Sequence, residues 1–327
     1  MRNTLTIILG TLAATVLSMS TIIDASAEMK WPEQPVKVIV PWPAGGATDP
    51  VARLIFGDIE TRVGQPFILE FRPGAAGTIG AAATANAAPD GYTIMLTSDS
   101  PIITANFMST VPFDPKTAFI PVAQLTYTPS YLAANANTPY NTFDEMIEYA
   151  KANPQGINAA YAGVGSIGHL NMSLIQYITG VEFNIVTYSG SGAQLTDLMS
   201  GVVDIGSGFP TGYLGAVQTG KLKFIAALAE ERSKSLPDVP TSDESQYKGI
   251  HGGGWLGVFV PKGTPKEIVN KINKELLISI KKPEIAMKIE KMGYTIVTNS
   301  PTEFGKKIEA QLATVQELVD QGVFKVD

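Results

Sequence analysis

Short β-branched runs alternate along this chain with segments whose apolar residues recur every three or four positions. The run VKVIVP (36–41) is continuously apolar, as in a buried strand. A glycine-containing loop follows, and Asp49 and Pro50 have the chemistry of an N-cap and first helical residue. The helix they open is expected over 51–63, stopping at Gly64. FILEF (67–71) reads as a second strand, and a glycine-rich loop leads to an alanine-rich helix near 80–87. The turn PDGY (89–92) precedes a third strand, TIMLT (93–97). Strand, helix, strand, helix, strand in this order predicts a parallel α/β sheet.

The same grammar restarts downstream. A helix over 143–152 has Thr142 as its cap, and a strand at 157–162 leads through a glycine loop to a helix over 169–179. A strand at 183–188 leads through SGSGAQ to a helix over 195–199. Then come a strand at 202–206, a helix over 212–218, a strand at 221–228, a proline-rich loop at 236–241 and a buried strand at 255–261. Ile268, Ile272, Leu276 and Ile280 share one face of a helix over 266–280. Phe304, Ile308, Leu312, Val315 and Val319 do the same in the last helix. Two units joined near 125–135 and again near 250–255 predict a bilobal protein. The first lobe comprises 28–126 and 253–292, the second 127–252, and 293–327 supplies a C-terminal strand and helix packing across the lobes. Ligands of open α/β sheets bind beyond the carboxyl ends of the strands, so the expected site is the cleft between lobes.

The first residues carry a different signal. Arg2, an apolar run over 5–17 and Ala25-Ser26-Ala27 describe a secretory signal peptide, 1–27, cleaved after Ala27. The run is short for a bilayer span, so a periplasmic protein is expected. The chain has 327 residues, 45% hydrophobic and 17% charged, which suits a globular fold of two lobes. Its net charge of -6 leaves no basic stripe for a phosphate backbone, so no nucleic-acid partner is expected. With no cysteine, thiolate sites and disulfides are excluded, and with only two histidines no multi-histidine metal centre is expected. No metal and no cofactor is expected.

Three strand-to-helix loops carry the candidate chemistry. In PWPAGGATDP (41–50), Gly45 and Gly46 let backbone N–H groups approach a ligand, Thr48 adds a hydroxyl, and the helix start adds positive dipole. This suits a carboxylate, with Trp42 as a cleft wall and Asp49 only a cap. AGVGSIGH (162–169) fits G-x-G-x-x-G through Gly163, Gly165 and Gly168. The acid a dinucleotide needs is missing from the end of the next strand. The same loop makes a second carboxylate site from Ser166 and backbone amides. His169 either bonds a neighbouring loop or contacts the ligand. YSGSGAQLTD (188–197) offers Ser189, Ser191 and Gln194, with close backbone approach at Gly190 and Gly192. In SDSP (98–101), Asp99 is either a helix cap or a cleft acid facing a ligand amine. Ser98 and Phe209 complete the candidate ligand-binding set.

No G-x-S-x-G elbow, H-E-x-x-H or phosphate-loop motif is present. An exported α/β enzyme using Ser166 or His169, and a receptor that only signals, are the alternatives to a transport receptor.

The motifs PAGG-x-TD-x-x-AR, RPGA-x-G-x-x-GA, APDGYTIML, GSIGHL, VTYSGSGAQLTDLMSGVVD, LPDVPT and WLGVFVPKGTP together resemble the periplasmic receptors of tripartite tricarboxylate transporters, the Bug family. The resemblance implies a type II periplasmic-binding-protein-like α/β fold, with two lobes around a ligand cleft and two crossover connections. It implies a monomer that captures a small carboxylate and delivers it to a large and a small integral membrane subunit. It places one carboxylate on Ala44, Gly45, Gly46 and Thr48, opposed by Gly165, Ser166, Gly168 and the 189–194 loop. Two segments depart from the family pattern: the acid in SDSP, and the glycine-rich GGGW (252–255).

Overall fold

The computed structural model describes residues 31–324. The expected signal peptide lies outside the described residues, as do 325–327. Strand β1 (Val36–Val40) leads to helix α1 (Asp49–Val63), β2 (Phe67–Phe71), α2 (Thr78–Ala85), β3 (Thr93–Ser98) and a single turn, α3 (Ala105–Met108). The long strand β4 (Phe119–Asn135) then opens a second set: α4 (Phe143–Ala152), β5 (Asn158–Tyr161), α5 (Ile167–Thr179) and β6 (Asn184–Thr187). It continues with α6 (Ser191–Ser200), β7 (Ile205–Gly208), α7 (Leu214–Gln218) and β8 (Leu222–Leu228). The chain returns through β9 (Gly253–Pro261), α8 (Lys266–Ile280), α9 (Pro283–Lys291), β10 (Thr295–Ile296) and α10 (Pro301–Asp320).

β1 lies between β2 and β3, parallel to both, with Val36, Val38 and Val40 fully buried. That is the environment a continuous β-branched run demands. β5 is likewise parallel to β6 and β7. β9 runs antiparallel to β3 and to β4, pairing Met95 with Phe259 and Phe119 with Pro261.

β4 belongs to both halves. Its first part pairs with β9 as far as Pro129 opposite Gly253, while Tyr131 faces Gly208 of β7 and Ser130 faces Leu228 of β8. The hydrophobic pattern did not predict this strand. It contains Pro121 and Pro129, and it buries Gln124, Thr126, Thr128 and Ser130. The register shifts beside Pro121, a bulge that tolerates the missing N–H. Distant segments satisfy two of these polar groups: Thr128 Oγ1 donates to Gly293 O at 2.8 Å, and Asn299 Nδ2 to Gln124 Oε1 at 3.2 Å, whereas Ser130 Oγ has no partner among the described residues.

α10 ties the ends together. Phe304 meets Trp255 edge-on at 4.9 Å, and Trp255 Nε1 donates to Gln311 Oε1 at 2.6 Å. Beyond the helix, Phe324 packs at 4.9 Å from the His169 ring. No helix among the described residues is long and apolar enough to cross a membrane.

Local boundaries depart from expectation in instructive places. Thr142 caps α4 as expected, accepting from Glu145 N at 3.2 Å. Asp49 is not the cap of α1: Thr48 already has helical φ/ψ, which makes Asp49 the first helical residue and puts Pro50 second. α6 starts at Ser191 rather than 195, so the SGSGAQ loop is largely the first turn of that helix.

Candidate functional site

The β1–α1 loop folds on itself. Gly45 N–H donates to Asp49 Oδ2 at 2.8 Å, and Asp49 is held in turn by Arg53 at 2.7 Å. Gly46 N–H donates to Pro43 O at 3.1 Å. The two glycine amides expected to meet a carboxylate are therefore used inside the loop, and Ala44 and Gly45 are exposed. The loop instead presents Trp42, Ala47 and Thr48 to a cavity of about 60 Å³ between the two sets of strands. The amides of Ala47 and Thr48 have no acceptor among the described residues.

Opposite, Ser166 caps α5: its Oγ accepts from His169 N at 3.2 Å, leaving the hydroxyl proton free to donate. Ser166, Ile167 and Gly168 line the cavity. His169 does not. Its Nδ1 accepts from Gly165 N at 3.1 Å, and its ring stacks on Tyr161 at 4.8 Å. Its ring is held by its own loop and by Tyr161, away from the cavity lining. Gly165 itself holds φ +81° and braces that loop without lining the cavity.

α6 contributes Ser191 and Gln194. Gln194 Nε2 donates to Ala160 O at 2.9 Å and to Tyr213 Oη at 3.1 Å. Burial pushes the Tyr213 phenol well above its ordinary pKa, so it stays protonated and keeps its own proton to donate. Ser189 lines a neighbouring cavity of about 260 Å³, with Ala75, Ala76 and Val164, and both cavities touch Ala162. Gly190 lines neither: a Cβ there would lie 2.9 Å from Pro43 Cγ across the cleft.

Ser98 and Phe209 line the first cavity, but Asp99 does not. Neither alternative for Asp99 holds. Ile102 and Ile103 N–H donate to its backbone carbonyl at 2.9 and 2.8 Å, its Oδ1 has no hydrogen-bond partner among the described residues, and it does not line the cavity that Ser98 and Ser100 line.

Ala47, Ser100, Ser191, Ser207, Gly208 and Tyr213 line the cavity without having been proposed as contacts, apart from Ser191 as a loop donor. Tyr213 carries no sequence signal. It arrives through the fold, between β7 and α7.

The lining holds no charged side chain; its polar groups are hydroxyls, an amide and the Trp42 indole. It is bordered by the starts of α1, α5 and α6, whose dipoles favour an anion. Trp42 Nε1 is buried with no acceptor among the described residues. The two halves touch around this space: Ile167 N–H donates to Ser100 Oγ at 3.2 Å, and Thr104 Oγ1 to Gly165 O. Among the described residues, no group of three acidic or histidine side chains could hold a metal ion.

Known proteins share this architecture. Protein BugT of Bordetella pertussis is 32% identical over 275 residues, 84% of each chain. The structure of the periplasmic binding protein BugD is 34% identical, with TM-score 0.85 over 90% of this chain and 100% of that one. MatC from Rhodopseudomonas palustris, solved with bound malate, is 31% identical, with TM-score 0.84 over 88% of this chain and 100% of that one. Residues 51–322 match the family described as tripartite tricarboxylate transporter family receptor, and the chain belongs to that family.

Proposed function

We propose that this chain is an extracytoplasmic receptor that captures a small carboxylate in the cavity between its lobes. It then presents the ligand to the large and small integral membrane subunits of a tripartite transporter. The lobes hinge where β4 and β9 cross, at Pro129 and Gly253. The 1–27 segment is removed on export to the periplasm, where the receptor acts as a monomer.

The observation that carries the reading is Trp42, whose buried Nε1–H has no acceptor among the described residues, in the wall of a cavity lined by neutral groups and helix starts. Donors of this kind suit an acceptor-only ligand, and a carboxylate is one. Ser166, Thr48 and Tyr213 add hydroxyl protons from both sides. The ligand leaves unchanged on this reading: the His169 near Ser166 has its Nδ1 occupied by the Gly165 N–H, and no hydrolase motif surrounds the lining serines. Malate in the similar MatC supports a short dicarboxylate as the first compound to try.

Calorimetry of ligand-stripped protein with L-malate and a carboxylate panel tests this. At 100 times Kd the ligand should stabilise the fold by about 2.7 kcal/mol. A panel that leaves Tm unmoved, or that yields turnover products, overturns the reading. Trp42→Phe keeps a ring but removes the donor. A hydrogen bond to a charged group contributes about 1.5–3 kcal/mol, so affinity should fall roughly 10- to 150-fold. Unchanged affinity would take Trp42 out of the site.

A further inference from the structure

Two acids are buried among the described residues, Asp49 and Asp99. Asp49 is paired with Arg53. Asp99, 2% exposed, is used by nothing derived so far, and its Oδ1 has no hydrogen-bond partner among the described residues. Its niche exists because residue 254 is glycine: a Cβ there would lie 2.8 Å from both carboxylate oxygens and 2.8 Å from Phe209 Cζ. The acid of SDSP and Gly254 of GGGW thus share one packing niche.

The surroundings of this carboxyl group come from both halves. Asp99 directly follows β3, β9 supplies Gly254, and Phe209 follows β7. Phe209 lines the ligand cavity and also covers Asp99. The titratable groups facing it are Tyr127 on β4 and Lys307 on α10, with the Lys307 ammonium 5.2 Å from the Tyr127 ring. Phe209 and Gly254 bring no charge.

We propose that Asp99 is a proton-binding site coupled to lobe closure, so that capture of the ligand takes up a proton. This rests on the receptor reading above. Closure sets Phe209 over the carboxyl group and keeps water out, which favours the neutral acid; opening lifts the cover and restores ordinary ionisation. In the structure, desolvation by burial pushes Asp99 up from 3.8 to about 7, against weaker opposing effects of the Asp99 and Ser100 amides and of Lys307. The sign follows. The closed form binds the extra proton between these values, so affinity falls as pH rises toward 7 and levels off above it.

The test is calorimetry of ligand-stripped protein with L-malate at pH 6, in two buffers of different ionisation enthalpy, for wild type and Asp99→Asn. Wild type should take up close to one proton and bind about fivefold more weakly at pH 7 than at pH 6, whereas Asp99→Asn should show neither effect. No uptake by wild type, or equal uptake by both, overturns the proposal. Failure of malate and the whole panel to bind overturns the carboxylate reading and, with it, the coupling to ligand capture, whereas binding without proton uptake by wild type overturns this proposal alone.

Discussion

Gly165→Val is expected to weaken ligand affinity at least a hundredfold while leaving a folded protein. A Cβ at this position would lie 2.6 Å from Ala105 Cα, a backbone atom on the opposite side of the cleft. Backbone cannot swing aside as a side-chain tip can, so the halves could not approach as they do here. Opening the cleft relieves the clash, so the penalty falls mainly on the closed form. Each 1.4 kcal/mol of lost closure is a factor of ten in affinity. The open form still pays for a branched residue at φ +81°, a cost of about 1–3 kcal/mol in global stability. Calorimetry with the best ligand, beside thermal unfolding without ligand, separates the two effects. Wild-type affinity in this variant would mean that the contact between Gly165 and Ala105 is absent from the bound state.

Gly254→Ala is expected to lower stability by about 3 kcal/mol at pH 8, the upper end for overpacking a well-filled interior. Its new methyl group competes with Asp99 and Phe209 for one space. In a protein of this size each kcal/mol moves Tm by about 2–4 °C. Removing the carboxylate should relieve part of the loss. Asp99→Ala in the Gly254→Ala background should therefore recover stability relative to the sum of the single variants, with a coupling of about 0.5–3 kcal/mol. Phe209 Cζ still faces the methyl group, so recovery stays incomplete. Strict additivity across the four proteins would show that residues 99 and 254 do not share the niche.

Both variants act through residues whose roles divide between what local pattern reveals and what it hides. The buried strand β1, the amphipathic α8 and α10, and the glycine loops before α1 and α5 were legible because each is coded within about a dozen neighbouring residues. Trp42, Thr48, Ser98, Ser166, Gly168, Gln194 and Phe209, each a member of the expected ligand-binding set, line the cavity. β4 was not legible, since its prolines and buried polar side chains resemble a loop until Gly293 and Asn299 arrive to satisfy two of those side chains. The Gly45 and Gly46 amides looked open to a ligand, but Asp49 and Pro43 bind them first. His169 was equivocal until Tyr161 and Phe324 enclosed its ring. Asp99 was a cap or a ligand contact in sequence and proved to be neither, because its neighbours Gly254, Phe209, Tyr127 and Lys307 lie far along the chain. Sequence by itself determined which residues could be buried and where helices and strands could start, because backbone preference and apolar periodicity are local. Only the tertiary structure decided which partner each buried polar group received, because hydrogen bonding and desolvation depend on segments the chain brings together from a distance.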